Sequence, residues 1–312
     1  MKLNRIASSA IRRGGGKLRL VTHDGSFHAD DIFAAATLAI MLEKKSEQFE
    51  IIRTRDKEIV EKGDYVFDVG GIYDENKNKF DHHQVGGAGE RNSIPYAAFG
   101  LVWKKYGAEV SGSLEVARLI ERKLVMPVDA DDNAVNLFTN NFPDILPYKL
   151  QDVLATFAPS SLEDMSKDEQ FLKAYTWAKE ILEREIKKTK DQIKLTEIIR
   201  GFYKASQDKR LIVIDKPKVS RFEIWDALAD YPEPLFIVYG DNLDWPVVSM
   251  RKDKTSFGNR KDFPKSWGGL DHDELAKITG VADAIFCHKG LFLSAAKSKE
   301  GAIQLAKRAL AS

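Results

Sequence analysis

One cysteine among 312 residues, Cys287, excludes a disulfide framework and every metal site built from several thiolates, and it suits a reducing compartment. Long apolar runs are missing too; none approaches the roughly 20 residues of a membrane-spanning helix. Charge of one sign is not in excess. The 48 Lys and Arg against 47 Asp and Glu leave +1, which excludes a generally polycationic nucleic-acid coat and moves any charged partner to local patches. Acidic residues are absent before Asp24, whereas Lys2, Arg5, Arg12, Arg13, Lys17 and Arg19 precede it. Such a start has the composition of an organelle transit peptide, but Gly14-Gly15-Gly16 interrupts an amphipathic helix, and no apolar run of secretory length is present. The expectation is a mobile basic tail on a cytoplasmic protein, with organelle targeting as the alternative. Histidine is scarce as well: there are six, four of them between positions 23 and 83.

What is there, 43% apolar and 30% charged residues, suffices for two globular domains. Leu18–Thr22, Phe49–Arg53 and Tyr65–Val69 read as strands, and Asp30–Lys45, Pro95–Tyr106 and Leu114–Leu124 as helices. Strands alternating with helices predict an α/β domain with a parallel sheet. Residues 165 to 200 lack Gly and Pro and are dense in Lys, Glu, Ile and Leu, which predicts a long connecting helix. Further strands are expected at Leu211–Asp215, Leu235–Tyr239, Pro246–Met250 and Ala284–Cys287. The division expected is a first domain over 18–165, a helical linker over 166–205 and a second, smaller α/β domain over 206–312.

Four short segments carry acids and imidazoles at the ends of these elements. They are Thr22-His23-Asp24-Gly25-Ser26-Phe27-His28-Ala29-Asp30, Asp68-Val69-Gly70-Gly71, Phe80-Asp81-His82-His83-Gln84 and Val128-Asp129-Ala130-Asp131-Asp132-Asn133. Open α/β sheets gather ligands beyond the carboxyl ends of their strands, so the segments converge if those strands are parallel neighbours. Converging carboxylates stay ionised in a partly buried cleft only when cations compensate them. Mixed Asp/His ligation suits Mn²⁺, Zn²⁺ or Fe, whereas an all-oxygen set favours Mg²⁺ or Ca²⁺. Each feature alone has a plainer explanation: a lone histidine is more often a surface or core residue, Asp68 fits a turn, and Asp131-Asp132-Asn133 fits a helix N-cap. Their co-occurrence favours metal binding.

These motifs, with Gly86-Gly87-Ala88-Gly89, Ile94-Pro95-Tyr96, Phe99 to Gly107, Arg260 to Pro264, Trp267 to Leu270 and Ile285 to Gly290, resemble the melanocyte-proliferating-gene (Myg) family of DHH-like exonucleases, within the DHH phosphoesterase superfamily. The resemblance runs from about residue 18 to the end of the chain. It implies a two-domain fold, with a DHH-type parallel sheet flanked by helices joined by a long helix to a smaller α/β substrate-binding domain. It also implies a metal-dependent 3′–5′ exonuclease on RNA or short oligonucleotides. The implied cofactor is a pair of divalent ions, Mn²⁺ first, with Mg²⁺, Zn²⁺ or Fe as alternatives. His23, His28 and Asp68 resemble the ligands of one ion. Asp30, Asp68, His82 and Asp129 resemble those of the other, with Asp68 bridging, and Asp129, Asp131 and Asp132 compete for the last position. His83 resembles the histidine facing the scissile phosphate and Asp81 its partner. The chain departs from the pattern at His28, where the wider superfamily usually has Asp, and at Asp24, where the branch usually has Asn.

The expected substrate surface includes Arg91 beside the Gly86–Gly89 loop and His288 after the strand Ala284–Cys287. It also includes a strip from Arg251 to Trp267, in which Arg251, Lys252, Lys254, Arg260, Lys261 and Lys265 alternate with Phe257, Phe263 and Trp267. Cations for phosphates and rings for bases make a single-strand binding composition, although a solvated charged loop has the same one. The expected partner is single-stranded RNA or a short oligonucleotide, with no membrane and with homo-oligomerisation left open. The competing functions are a small-molecule phosphohydrolase, such as a pyrophosphatase or cyclic-dinucleotide phosphodiesterase, and a non-catalytic metal- or nucleotide-binding regulator.

Overall fold

Short β-branched and aromatic runs form the strands, and the alanine-rich and Lys/Glu-rich stretches form the helices. The computed structural model describes residues 6–7, 16–142, 144–215, 218–240, 243–253 and 258–312. The expectations placed on Lys2, Arg5, Arg12, Arg13, Gly14, Gly15, Lys254 and Phe257 lie outside the described residues. The chain divides into two compact units, 1–190 and 191–312.

In the first unit the elements are β1 (Ile6–Ala7), β2 (Leu18–Thr22), α1 (Ala29–Lys44), β3 (Phe49–Arg53), α2 (Lys57–Glu61), β4 (Tyr65–Phe67), β5 (Tyr73–Asp74), β6 (Lys79–Phe80), β7 (Glu90–Arg91) and β8 (Ile94–Pro95). The helices α3 (Ala98–Ser111), α4 (Leu114–Ile120), α5 (Met126–Asp132) and α6 (Leu150–Ala155) follow. The main sheet has the order β1-β3-β2-β4-β6-β5. β3, β2, β4 and β6 are mutually parallel, as the alternating pattern predicts, while β1 and β5 pair antiparallel at the edges. Helix α1 is buried on every side from Ala29 to Leu42, which is the position of a helix apolar all round. Phe33 on it stacks against Phe99 of α3 at 5.2 Å. The expected helix at Pro95 starts only at Ala98, because Pro95 pairs in β8. The helix expected to end at Leu124 instead continues: α4 passes through a π-helical turn, Glu121–Val125, into α5.

The helix α7 (Lys167–Ala205) crosses the boundary between the units. Its first half buries Phe171, Ala174, Ala178, Leu182 and Ile186, one face at helical spacing. Its last turns place Ile199 and Tyr203 in a core of the second unit. There β9 (Leu211–Ile214), α8 (Arg221–Leu228), β10 (Phe236–Tyr239), β11 (Trp245–Ser249), α9 (His272–Thr279), β12 (Ala284–Cys287), β13 (Leu293–Ala296) and α10 (Lys299–Ala311) build a sheet of order β12-β13-β11-β10-β9. β13 is a strand that the sequence pattern did not reveal. Side chains alternate across the sheet: Phe236 and Val238 enter the core with Leu275 and Leu305, whereas Ile237 and Tyr239 enter the one with Ile224 and Trp225.

Candidate metal centre

Three of the four motif segments leave the carboxyl ends of adjacent parallel strands. His23 follows β2, Asp68 follows β4, and Asp81-His82-His83 follows β6. Asp68 adopts φ +53°, a left-handed turn that Asp tolerates better than most residues, and this turns its carboxylate back over the strand ends. Helix α1 begins beside them, with Asp30 and Asp31 in its first turn and both fully buried. The fourth segment arrives from the end of α5.

His23 Nδ1 lies 2.9 Å from the carbonyl of Asp24. A carbonyl only accepts, so the hydrogen sits on Nδ1 and Nε2 is turned inward, 3.1 Å from Asp68 and 3.2 Å from Asp31. His82 Nε2 faces three carboxylates: Asp68 and Asp132 at 3.3 Å and Asp30 at 3.8 Å. Three ligand sets come together, His23/His28/Asp68, Asp68/His82/His83 and His28/Asp30/Asp132, the donor atoms of each lying within 4.8 Å of one another. Asp81 is buried and receives the His83 backbone N–H at 3.0 Å, while His83 Nδ1 stands 2.8 Å from the same oxygen. The His83 side chain remains 63% exposed, with Nε2 free of that contact.

Electrostatics explain why so many acids share one place. Burial lifts the Asp30 carboxyl well above the usual carboxylate range, and the charges of Asp68, Asp132 and Asp31 add to it. Asp31 and Asp132 are raised too, burial again leading. Burial also works against an ionised Asp68, but His23 and His82 outweigh it and hold the group at about 2. Burial alone would lower the His23 imidazole; Asp31 and Asp68 reverse that and push it up to about 10. His82 is raised in the same manner, Asp68 and Asp132 overcoming its desolvation. Without cations, protonated imidazoles neutralise the carboxylates. For its Nε2 to coordinate a cation, each of these imidazoles must give up the proton there.

The residues fit divalent ions. Among the described residues, Asp30 Oδ1 is buried without a hydrogen-bond partner, and the buried Asp31 Oδ2, Asp68 Oδ1 and His82 Nε2 have only imidazole–carboxylate approaches within the cluster, a costly condition for polar atoms that cation coordination relieves.

A family model, MYG1_exonuc, described as an uncharacterised protein family (UPF0160), matches residues 19–310. The chain belongs to this family. The MYG1 protein of Chlamydia muridarum is 31% identical to it over 89% of this chain and 92% of that one. The human protein named MYG1 exonuclease is 25% identical over 94% of this chain and 86% of its own length, and a Schizosaccharomyces pombe MYG1 protein 25% over 94% and 97%. A manganese complex of RecJ from Thermus thermophilus aligns at a TM-score of 0.29 and 11% identity, covering 94% of this chain and 52% of that one, a level at which the likeness carries no argument.

In this MYG1-family chain Asp132, and not Asp129, lies together with His28 and Asp30 in the cluster. Asp129, one turn earlier on α5, is fully buried, accepting the Gly100 amide at 3.0 Å and pairing with Arg91 at 2.8 Å. Burial pushes its carboxyl up to about 7 against the pull of Arg91. A Cβ on Gly100 would stand 1.8 Å from Asp129 Oδ2, so this approach requires glycine. Asp131 turns away to pair with Lys149. Arg91, expected at the substrate, is occupied instead. It bonds Glu121 as well as Asp129 and lies with its guanidinium 4.3 Å over the Tyr96 ring. The sequence reading also missed Asp31. Its position three residues after the helix N-cap His28, whose N–H it accepts at 3.0 Å, was the available signal.

The basic-aromatic strip is corrected more thoroughly. Trp267 and Phe263 are buried in the core of the second unit, so neither ring can stack on a base. Arg260 is folded inward to donate to the carbonyls of Arg251, Ala229, Tyr231 and Pro234, and Lys261 to that of Leu310. The alternation that resembles a strand-binding strip is a loop anchoring itself. Trp267→Ala should therefore cost about 3–5 kcal/mol of stability, read as a lower denaturant midpoint. Oligonucleotide affinity of the folded fraction should stay at the wild-type value; its loss without any loss of stability would return the ring to the substrate. His288 is exposed in the second unit, with Nδ1 accepting the Gly290 amide and its ring against Phe292.

Proposed function

We propose that this enzyme is a metal-dependent phosphodiesterase acting as a 3′–5′ exonuclease on RNA or short oligonucleotides. Two divalent ions, Mn²⁺ before Mg²⁺, are its cofactors. The observation that carries the reading is the convergence of Asp30, Asp68, Asp132, His23, His28 and His82 in one buried cluster, in which Asp30 Oδ1 lacks a partner. His23, His28 and Asp68 would hold one ion, and Asp30, Asp68, Asp132 and His82 the other. When bound, the ions supply Lewis acidity and neutralise charge on a phosphoryl group. Asp81 fixes the His83 ring so that its outer nitrogen meets a phosphate oxygen or, when protonated, passes its proton to the departing sugar oxygen, which leaves as the hydroxyl. Family membership alongside proteins named exonuclease supports the nuclease reading over a binding regulator.

A small-molecule phosphohydrolase is the second reading, and one observation favours it: Phe263 and Trp267, two of the rings expected to guide a strand, are folded into the core. Purified protein with Mn²⁺ should shorten 5′-labelled RNA and split a dinucleotide faster than it hydrolyses pyrophosphate; the reverse order would transfer the assignment. Chelation with EDTA should abolish the activity, and Mn²⁺ should restore it better than Mg²⁺ because three of the donors are imidazoles. Full turnover in excess chelator would end the metal-dependent reading.

A further inference from the structure

The first unit holds a cleft of about 960 Å³ that opens beside the metal centre and shares His28, Asp30 and Asp132 with it. Its far wall comes from the segment after α5, where Phe138, Leu146 and Tyr148 line the space. These apolar side chains are unusually bare: Phe138 is 63% exposed, Leu146 78% and Tyr148 72%. Scattered exposed apolar residues need no explanation, but a group of them lining one concave surface marks a binding site.

We propose that this cleft is a nucleobase subsite, taking the base of the nucleotide whose phosphate lies at the Asp/His cluster. This rests on the phosphodiesterase reading above and adds to it where the base goes. Continuity is the first argument, since a ligand whose phosphate meets cations held at His28, Asp30 and Asp132 would have no boundary to cross before reaching the rings. Size is the second: the volume falls within the range of small-molecule sites and admits a nucleotide. Chemistry is the third. Flat aromatic walls suit a heterocycle, and Asn136, Asn140 and Gln151 on the lining can meet its polar edge. The wall is also tied to the centre: Gln151 on α6 accepts the Ala29 amide at 2.7 Å, beside the α1 turn that carries Asp30. Rings for stacking, buried at Phe263 and Trp267 among the described residues of the second unit's strip, are thus supplied here.

The test compares equilibrium binding of AMP and of ribose 5-phosphate by calorimetry in the presence of Mn²⁺. The wild type should hold AMP at least about tenfold more tightly, as stacking contributes roughly 5- to 150-fold per base. The double variant Phe138→Ala with Tyr148→Ala should erase that preference and leave ribose 5-phosphate as it was, while Tyr148→Phe should keep it. Both side chains are more than half exposed, so the fold survives the change. Equal binding of the two ligands by the wild type, no binding of either, or a double variant that still prefers AMP would overturn the subsite. So would an unchanged AMP affinity with a shift from dimer to monomer in the double variant, which would assign the face to a second copy of the chain. The two readings fail separately: the preference for AMP without RNA hydrolysis removes the exonuclease and keeps the subsite, and RNA hydrolysis without the preference does the opposite.

Discussion

On the proposed two-ion reading, in which Asp68 serves both ions, Asp68→Asn should lower kcat/KM on an RNA oligomer by about 10³-fold or more, since metal stabilisation of a phosphoryl transition state is worth several kcal/mol. Asparagine preserves the size of the side chain and tolerates the left-handed φ of +53° at this position, so the turn after β4 should persist. The comparison is Asp24→Asn, which touches only an exposed pair with Arg55 at 3.4 Å. Exposed pairs contribute at most ~1 kcal/mol, so that variant should stay within about fivefold of wild type. Thermal melts of both proteins accompany the kinetics. Equal losses in two folded variants would mean that Asp68 does not bridge.

Asp132→Asn should weaken Mn²⁺ binding by more than about 100-fold, beyond what changes in residues that merely support a ligand produce. Asp131→Asn, which gives up a surface contact with Lys149, should shift it by less than about fivefold. Asp129→Asn should behave differently from both. It leaves Arg91 buried beside Glu121 alone, and breaking a buried pair costs about 3–5 kcal/mol of stability while the ligand atoms stay in place. Calorimetric titration of Mn²⁺ into the three variants, with denaturant midpoints, separates these outcomes. If Asp129→Asn lost the metal and Asp132→Asn kept it, the assignment made from the fold would be reversed.

The sequence alone determined the parallel α/β character of the first unit and the long helix. It also grouped His23, His28, Asp30, Asp68, Asp81, His82 and His83, because in a parallel sheet residues just past successive strands must emerge at one end. That information is local: a run of β-branched and aromatic residues, then an acid or imidazole. The choice between Asp129 and Asp132 was not local. The two residues are one turn apart on α5, and what separates them is what each meets: Arg91 and the Gly100 amide at Asp129, His82 at Asp132. The second unit's loop shows the same division. Arg, Lys, Phe and Trp in alternation describe a strand-binding surface and a self-anchoring loop equally well. Only the packing of Phe263 and Trp267 among Phe236, Leu275 and Leu305 decided between them. Burial of a side chain is a property of what lies opposite it, and for this loop the opposing residues come from strands and helices distant in sequence.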